Sequence, residues 1–133
     1  RTIALLSGAG MHLAAPEGRV LVGPETPPYA FPGEAEIDCT LVDGRTIDLN
    51  AMTRRDRWRH RMRRERFAGE LAIRTEATLT VVVANAPVRL ASPGGETLGP
   101  LDTLAGIMPG EVVRLHADGP AEVFVIALTE HRG

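Results

Sequence analysis

The sequence predicts an all-β domain built as a sandwich or a barrel. Its 133 residues include 14 glycines and 10 prolines at short intervals, which leave pieces too short for most helices. Between these breaks lie runs rich in Val, Ile, Leu and Thr, and few stretches show the helical period of about 3.6 residues. Parallel α/β folds need crossover helices of about a dozen residues or more, and this chain has little room for them.

Eight short runs are the predicted strands. They are Thr2–Leu6, Arg19–Val22, Ala35–Val42, Thr46–Leu49, Leu79–Val83, Val88–Ala91, Glu111–Leu115 and Glu122–Leu128. Many short strands at this spacing are typical of β-sandwiches and β-barrels. The mass of 14.3 kDa suits one compact domain, and we predict a single β domain over residues 1–133.

Two turns are predicted from Asp-Gly pairs. Ala35–Leu41 alternates apolar and polar residues, as a half-buried strand does, and Asp43-Gly44 follows it. A three-residue hairpin loop with Gly44 left-handed places the apolar residues of both flanking strands on one face, so we prefer it to a two-residue turn. Asp118-Gly119-Pro120 predicts a second turn, between the last two predicted strands.

Three other connections have weaker patterns. Gly23–Pro32 is rich in proline and is predicted to be a rigid loop crossing between sheets. Leu98–Leu104 is predicted to be a short helical turn or a loop. Ser7–Gly10 superficially resembles a phosphate loop, but it joins strand to strand and so offers no helix N-terminus to a phosphate. We interpret it as a tight turn.

The composition points to a reducing compartment. Cys39 is the only cysteine, so no internal disulfide can form, and we expect a cytoplasmic protein. No apolar run approaches the length of about 20 residues that spans a membrane, and the start does not resemble a signal peptide. The chain begins with Arg1 rather than Met and enters a strand at once. We therefore expect a fragment that lacks N-terminal strands, with a homodimer partner as one way to cover the open sheet edge.

The positive charge is concentrated in one segment. The arginine-rich segment (residues 54–66) holds eight arginines and two acids, although the whole chain has a net charge of −2. From 55 to 63 every odd position is Arg, which as a strand gives one Arg face and a second face with Asp56, Trp58, His60 and Met62. Either this face is solvated and paired with acids on a neighbouring strand, or Arg54 or Arg55 clamps a carboxylate. Too few aromatic residues accompany the arginines for us to expect nucleic-acid binding.

The histidines do not form a metal-binding pattern. His12, His60, His116 and His131 show no close ligand spacing, and we expect no metal and no other cofactor. His60 shares a predicted face with Trp58 and Met62, which favours a hydrogen-bonded core histidine over a ligand. No Gly-x-Ser-x-Gly elbow is present, and Cys39 lies in a predicted strand without an evident base. We therefore expect no nucleophilic catalysis.

One motif connects these observations to a known family. The segment Asp48-Leu-Asn-Ala-Met-Thr-Arg-Arg55 resembles the Asp-aromatic-Asn-x-Met-x-Arg-Arg pattern of the HutD/Ves family. The opening Arg1-Thr-Ile-Ala-Leu-Leu-Ser-Gly-Ala-Gly-Met11 and Phe31-Pro-Gly-Glu34 are similar to that family in order and spacing. Leu49 stands where the family usually has Phe, and the family's N-terminal stretch is absent. The rest of the chain is similar only as a cupin-like pattern of strands.

The resemblance implies a fold and a role. The expected fold is a cupin (jelly-roll) barrel, bicupin-like, of which this chain is a fragment without the N-terminal strands. The family's implied role is to bind an acidic intermediate of histidine degradation, such as formylglutamate, without a metal, and to modulate the pathway. We expect a small acidic metabolite as the partner, and neither nucleic acid nor a membrane.

The matching positions give the candidate ligand-binding residues Asn50, Thr53, Arg54 and Arg55, to which His60 is added. Asn50 could hydrogen-bond a formyl or amide group, and the arginines could pair with carboxylates. The alternative for Asn50 and Asp48 is that they fasten the strand end as turn residues. No residue is predicted to be catalytic.

Two other functions stay open. The chain could be a metal-independent isomerase or lyase acting on a small acid, with His60 as general base and Asp56 or Asp48 orienting it. It could also be an interaction domain that dimerises through the faces of its barrel. An extensive apolar patch on the surface would support this hypothesis.

Overall fold

The computed structural model describes residues 1–91 and 95–131, and these ranges contain β-strands and no helix. The all-β, cupin-type fold predicted from the sequence is confirmed. No helix in the described ranges is long and apolar enough to cross a membrane. The chain divides into two compact units, Arg1–Thr53 and Arg54–Gly133, and each is described by itself.

The first unit consists of six short strands in two sheets. They are β1 (Thr2–Ser7), β2 (Met11–Ala15), β3 (Gly18–Val22), β4 (Tyr29–Ala30), β5 (Asp38–Leu41) and β6 (Ile47–Ala51). One sheet has the order β4-β1-β6 and the other β3-β2-β5, with every neighbouring pair antiparallel. Ile3 and Leu5 of β1 pack with Met11, Leu13 and Val22 in the core of this unit. The two central strands therefore supply most of the buried side chains.

The hairpin predicted at Asp43-Gly44 is wrong, although Gly44 is left-handed as predicted, with a φ of 69°. The strands on either side of it belong to different sheets, because β5 pairs with β2 and β6 pairs with β1. The strand β5 is exposed along its whole length rather than half-buried. An Asp-Gly pair indicates a change of direction, but it does not determine which strand becomes the neighbour.

The connection from β1 to β2 is tight, as predicted. Gly8 has a φ of +107°, which side chains with a Cβ rarely adopt. A Cβ at this position would lie 2.5 Å from the carbonyl oxygen of Arg45, which is too close for any real contact. Glycine is therefore required here both by the backbone conformation and by the approach of a second segment.

The second unit is organised around its last strand. Its strands are β7 (Trp58–Arg74), β8 (Leu79–Ala84), β9 (Val88–Leu90), β10 (Thr97–Leu98), β11 (Thr103–Ile107) and β12 (Val112–Glu130). In the sheet order β10-β9-β12-β8-β11, β12 is central and also pairs with β7. One core cluster includes Ile73, Val82, Leu115, Val123 and Val125, all at most 1% exposed.

The turn predicted at Asp118-Gly119-Pro120 is wrong, because β12 is one continuous strand. These three residues form a bulge: Ala117 lies opposite Gly69 and Ala121 opposite Phe67, so that only Ala68 faces them. The strand continues because β7 is long enough to pair with it on both sides of the bulge. Pro120 fits there since a bulged residue has no ladder hydrogen bond to lose.

The segment Leu98–Leu104 is neither a helical turn nor entirely a loop. Leu98 ends β10, and Leu104 belongs to β11, which pairs with β8. The predicted rigid loop Gly23–Pro32 does connect one sheet of the first unit to the other, and it contains the short strand β4. The prediction of a single domain over residues 1–133 stays a prediction.

The turn at Gly8 gives a test of the first unit. We expect Gly8→Ala to lower the free energy of unfolding by about 1–3 kcal/mol, because the added Cβ meets backbone and the φ is strained. Urea denaturation measures this change. The control is Gly33→Ala, since a Cβ at Gly33 meets nothing within 4 Å. Equal stability of the two variants would contradict the packing described at this turn.

Candidate functional site

The three segments that carry the family resemblance meet in the sheet β4-β1-β6. Thr2 of β1 lies opposite Ala30 of β4 on one side and opposite Ala51 of β6 on the other. The amide of Phe31 donates a hydrogen bond of 2.8 Å to the carbonyl of Arg1. Segments that are far apart in sequence therefore lie side by side at the start of β1.

A cluster of side chains forms at this point, which we call the Arg1 cluster (Arg1, Phe31, Asp48 and Asn50). Arg1 Nε donates to Asn50 Oδ1 at 3.0 Å. The guanidinium carbon of Arg1 lies 5.3 Å from the centre of the Phe31 ring, a cation–π distance. The guanidinium group is thus held by an amide at one end and an aromatic face beneath it. Within the described ranges its Nη atoms form no ion pair.

Two further contacts hold the parts of the Arg1 cluster in place. Asn50 Nδ2 donates to Asp48 Oδ2, which fixes the amide with its oxygen toward Arg1. The rings of Phe31 and Tyr29 stack with centres 5.5 Å apart and an interplanar angle of 22°. Asp48 and Asn50 both lie inside β6, so their side chains interact along one strand rather than in a turn.

The Tyr29 hydroxyl extends this arrangement to Glu17, to which it donates a hydrogen bond. That hydrogen bond lowers the pKa of the Glu17 carboxyl and raises the pKa of the Tyr29 phenol. Glu17 therefore stays ionised at neutral pH and anchors the outer ring of the stacked pair.

The remaining predicted site residues lie around the start of β7. Thr53 is the last residue of the first unit, and Arg54 begins the second. The carbonyl of Arg54 accepts hydrogen bonds from the amides of Arg57 and Trp58, at 3.0 and 2.8 Å. Residues 54–57 therefore form a turn, and the predicted Arg face of the strand starts only after Trp58.

This turn is fastened by the far end of the chain. His131 Nε2 lies 3.0 Å from the Arg55 carbonyl oxygen, and the His131 amide donates to the Arg57 carbonyl at 2.9 Å. The Arg54 guanidinium lies 2.9 Å from Asp56 Oδ2 and its side chain is 76% exposed. The turn thus presents a cationic group on a fixed backbone. Asn50 groups with Arg1 and Phe31, and Arg54 and Arg55 group with this turn.

His60 lies on β7 opposite Leu128 of β12 and shares a face with Trp58 and Met62, as predicted. Met62 is buried and His60 is half-buried. This burial lowers the pKa of the His60 imidazole below its usual value of 6.5, because the charged form loses hydration. The ring is therefore neutral at pH 7. The predicted orienting partner Asp56 is engaged by Arg54.

The sequence-based analysis missed Arg1 and Phe31 as site residues. Both stand in segments that already carried the resemblance, Arg1 at the opening and Phe31 in Phe31-Pro-Gly-Glu34. The signal was thus present, but the pairing of β1 with both β4 and β6 was needed to bring the two residues to Asn50. In the described ranges no group of three or more His, Cys, Asp or Glu side chains is placed to hold a metal ion.

Comparison with known proteins identifies the family. The family model HutD matches residues 1–125. This chain belongs to the HutD family. The predicted resemblance is thereby confirmed, and family membership supports a link with histidine utilisation. No curated protein matches the chain.

Two solved structures resemble this HutD family member. A conserved protein of unknown function from Pseudomonas aeruginosa is 28% identical with a TM-score of 0.82, over 96% of this chain and 69% of that one. HutD from Pseudomonas fluorescens, determined in a formate condition, is 24% identical with a TM-score of 0.77, over 98% of this chain and 68% of that one. The second likeness supports the fold alone.

The partial burial of His60 predicts a pH dependence of stability. Its pKa is lower in the folded chain than in the unfolded chain, so on acidification the unfolded state takes up the proton first. We expect the stabilisation to be complete above about pH 6.5 and to be lost as the pH falls through the folded pKa. Melting temperatures measured at intervals from pH 8 to pH 5 should fall less steeply for His60→Gln than for the parent chain. Parallel profiles would contradict this assignment.

Proposed function

We propose that this HutD family member binds a small dicarboxylic acid of histidine degradation, such as formylglutamate, and so modulates the pathway. In this proposal the chain is a cytoplasmic binding protein rather than an enzyme. The family membership supports the metabolic context. The observation that supports an acid-binding role is the Arg1 guanidinium held between Phe31 and Asn50.

An arginine held in this way is suited to a carboxylate. A guanidinium group can donate two parallel hydrogen bonds to one carboxylate, and it does so best when its orientation is fixed beforehand. Here Nε is already used by Asn50, so the ligand carboxylate would pair with the Nη atoms. The second N–H of the Asn50 amide can donate to a formyl or carboxylate oxygen close to Arg1. The acid would then contact two donors that the sheet has already placed.

The first test is a thermal-shift measurement with formylglutamate, formiminoglutamate, glutamate, urocanate and imidazolone propionate. A ligand at about 100 times its dissociation constant adds about 2.7 kcal/mol of stability, which raises the melting temperature by about 10 °C. We expect one dicarboxylate to produce a shift of this order and a metal chelator to leave it unchanged. No shift with any of the acids would overturn the proposal.

The Arg1 cluster is tested by substitution. Arg1→Gln and Asn50→Ala should each weaken binding of the responding acid about tenfold, because each removes hydrogen bonds to a charged group. Isothermal titration calorimetry measures the affinity. Arg19→Gln is the matched control, since Arg19 is an exposed arginine of the same unit on β3. If Arg1→Gln binds as well as Arg19→Gln, the acid does not contact the Arg1 cluster.

Arg54 and Arg55 form a separate part of the proposal, as carboxylate-binding groups on the turn that starts β7. The contact of Arg54 with Asp56 is exposed, and such surface ion pairs are worth only about 0–1 kcal/mol, so a ligand carboxylate can replace Asp56. We expect Arg54→Gln with Arg55→Gln to weaken acid binding about tenfold or more. Arg59→Gln, an exposed arginine on β7, is the control. An unchanged affinity in the double variant would show that Arg54 and Arg55 do not bind the acid.

A further inference from the structure

The polar side chains of β6 in the Arg1 cluster lie on the core side of the sheet β4-β1-β6. Asn50 is opposite Ile3 and Asp48 is opposite Leu5, and directly opposite residues of an antiparallel pair share one face of the sheet. Ile3 and Leu5 are buried in the core of the first unit. Asp48 and Asn50 therefore occupy positions at which a half-buried strand ordinarily places apolar side chains.

The Asp48 carboxylate keeps an available acceptor at the edge of this sheet. In the part of the chain that the structure describes, β6 pairs with β1 alone and is therefore an edge strand. Asp48 is exposed, whereas Asn50 is half-buried. Among the described residues the carboxylate accepts one hydrogen bond, from Asn50 Nδ2 to Oδ2, and forms no ion pair. A carboxylate has about four acceptor positions, so Oδ1 can accept hydrogen bonds from a ligand.

The cluster is an ordered series of donors and acceptors. At one end are the Nη atoms of Arg1, in the middle is the second N–H of the Asn50 amide, and at the other end is Oδ1 of Asp48. Two hydrogen bonds fix this order, from Arg1 Nε to Asn50 Oδ1 at 3.0 Å and from Asn50 Nδ2 to Asp48 Oδ2. The two ends carry opposite formal charges. A complementary ligand therefore offers a carboxylate to Arg1, a carbonyl oxygen to Asn50 and a hydrogen-bond donor to Asp48.

An N-acylamino acid carries these three groups within a few bonds of one another. Its N–H group and its carboxylate are attached to the same carbon atom, and the acyl carbonyl follows the nitrogen. An amino acid has the same carboxylate and nitrogen without the acyl group. A dicarboxylate without nitrogen has no donor for Asp48 and would bring a second negative charge beside it, which is unfavourable. The N–H group therefore distinguishes acids that suit the cluster from acids that do not.

We propose that Asp48 determines specificity, because it accepts a hydrogen bond from the N–H group of the bound acid and so selects N-acylamino acids and amino acids over plain dicarboxylates. This inference rests on the acid-binding role proposed above and adds the class of acid to it. An aspartate at this position has two simpler roles. It orients Asn50, and an inward-pointing charge on an edge strand hinders pairing with another chain. Neither of these roles depends on the nitrogen of a ligand.

The test compares acids that differ only at the nitrogen. Formylglutamate is paired with 2-formyloxyglutarate, in which an ester oxygen replaces the N–H group, and glutamate is paired with glutarate. In isothermal titration calorimetry we expect each nitrogen-bearing acid to bind the full chain at least about tenfold more tightly than its analogue, because a missing donor leaves Asp48 facing an anion. Equal affinities within the pairs would overturn this inference and leave the acid-binding role intact. Absence of binding by all four acids would overturn both.

The substitution Asp48→Asn separates recognition of the ligand from orientation of Asn50. The amide keeps an oxygen that accepts from Asn50 Nδ2, but an NH2 donor replaces the other carboxylate oxygen. We expect formylglutamate to bind about tenfold more weakly and 2-formyloxyglutarate to bind within about twofold of the parent chain, so that the discrimination is lost.

Asp38→Asn is the matched control, since Asp38 is an exposed aspartate of the same unit on β5. It should leave both affinities unchanged, and thermal unfolding confirms that each variant is folded. Equal weakening of both acids by Asp48→Asn would show that Asp48 acts only by orienting Asn50, and the inference would then be wrong.

Discussion

The backbone of β12 between Val123 and Ile126 is buried on both faces, and each of its amide and carbonyl groups must therefore find a partner. The chain meets this constraint by placing β7 along one edge of β12 and β8 along the other. This burial explains why the sequence from Val123 to Leu128 is continuously apolar, since a strand covered on both faces has no solvent-facing side for polar residues. The sheet of the second unit depends on this strand.

The long pairing of β7 with β12 also determines where charge can lie. Arg64 lies opposite Phe124 and Arg66 lies opposite Glu122, so two arginines of a charged edge segment face the buried strand. An isolated guanidinium group there would be costly to desolvate. Glu122 and the Phe124 ring supply an opposite charge and an aromatic face to Arg64, and Asn85 supports Glu122. The arginine-rich segment is therefore not only a solvated face.

The sequence allowed the strand-rich composition to be recognised but not the pairing of the strands. Asp-Gly pairs predicted two turns, and neither joins a hairpin: Asp43-Gly44 lies between sheets, and Asp118-Gly119 lies within a bulge. An Asp-Gly pair allows the same change of backbone direction in a hairpin, in a crossing between sheets and in a bulge. Which of these forms is therefore decided by the strands with which the flanking residues pair. The length of β7 could not be predicted from the sequence, because its many arginines interrupt the alternation of apolar and polar residues that is typical of a strand.

The candidate site shows the same division between local and distant information. The position of Asn50 followed from a motif, and the face shared by His60 and Met62 followed from the period of a strand. The contact of Arg1 with Asn50 and Phe31 could not be obtained in this way, because it requires β1 to lie between β4 and β6 in one particular register. A register shifted by one residue would turn the apolar side chains of a strand to its other face.

The charged groups around Arg1 and around Glu122 each lie beside a buried run of a central strand. Arg1 directly precedes β1, in which the residues from Thr2 to Leu5 are all buried, and Glu122 directly precedes the buried run of β12. A buried strand is the least mobile part of a sheet, so a side chain on it or directly beside it is held more closely than one on a loop. In each case one arginine rests on an aromatic ring, Phe31 for Arg1 and Phe124 for Arg64. Fixing the guanidinium group before a ligand arrives reduces the entropy lost on binding. This preorganisation is what lets a chain with few aromatic residues hold charged groups in defined positions.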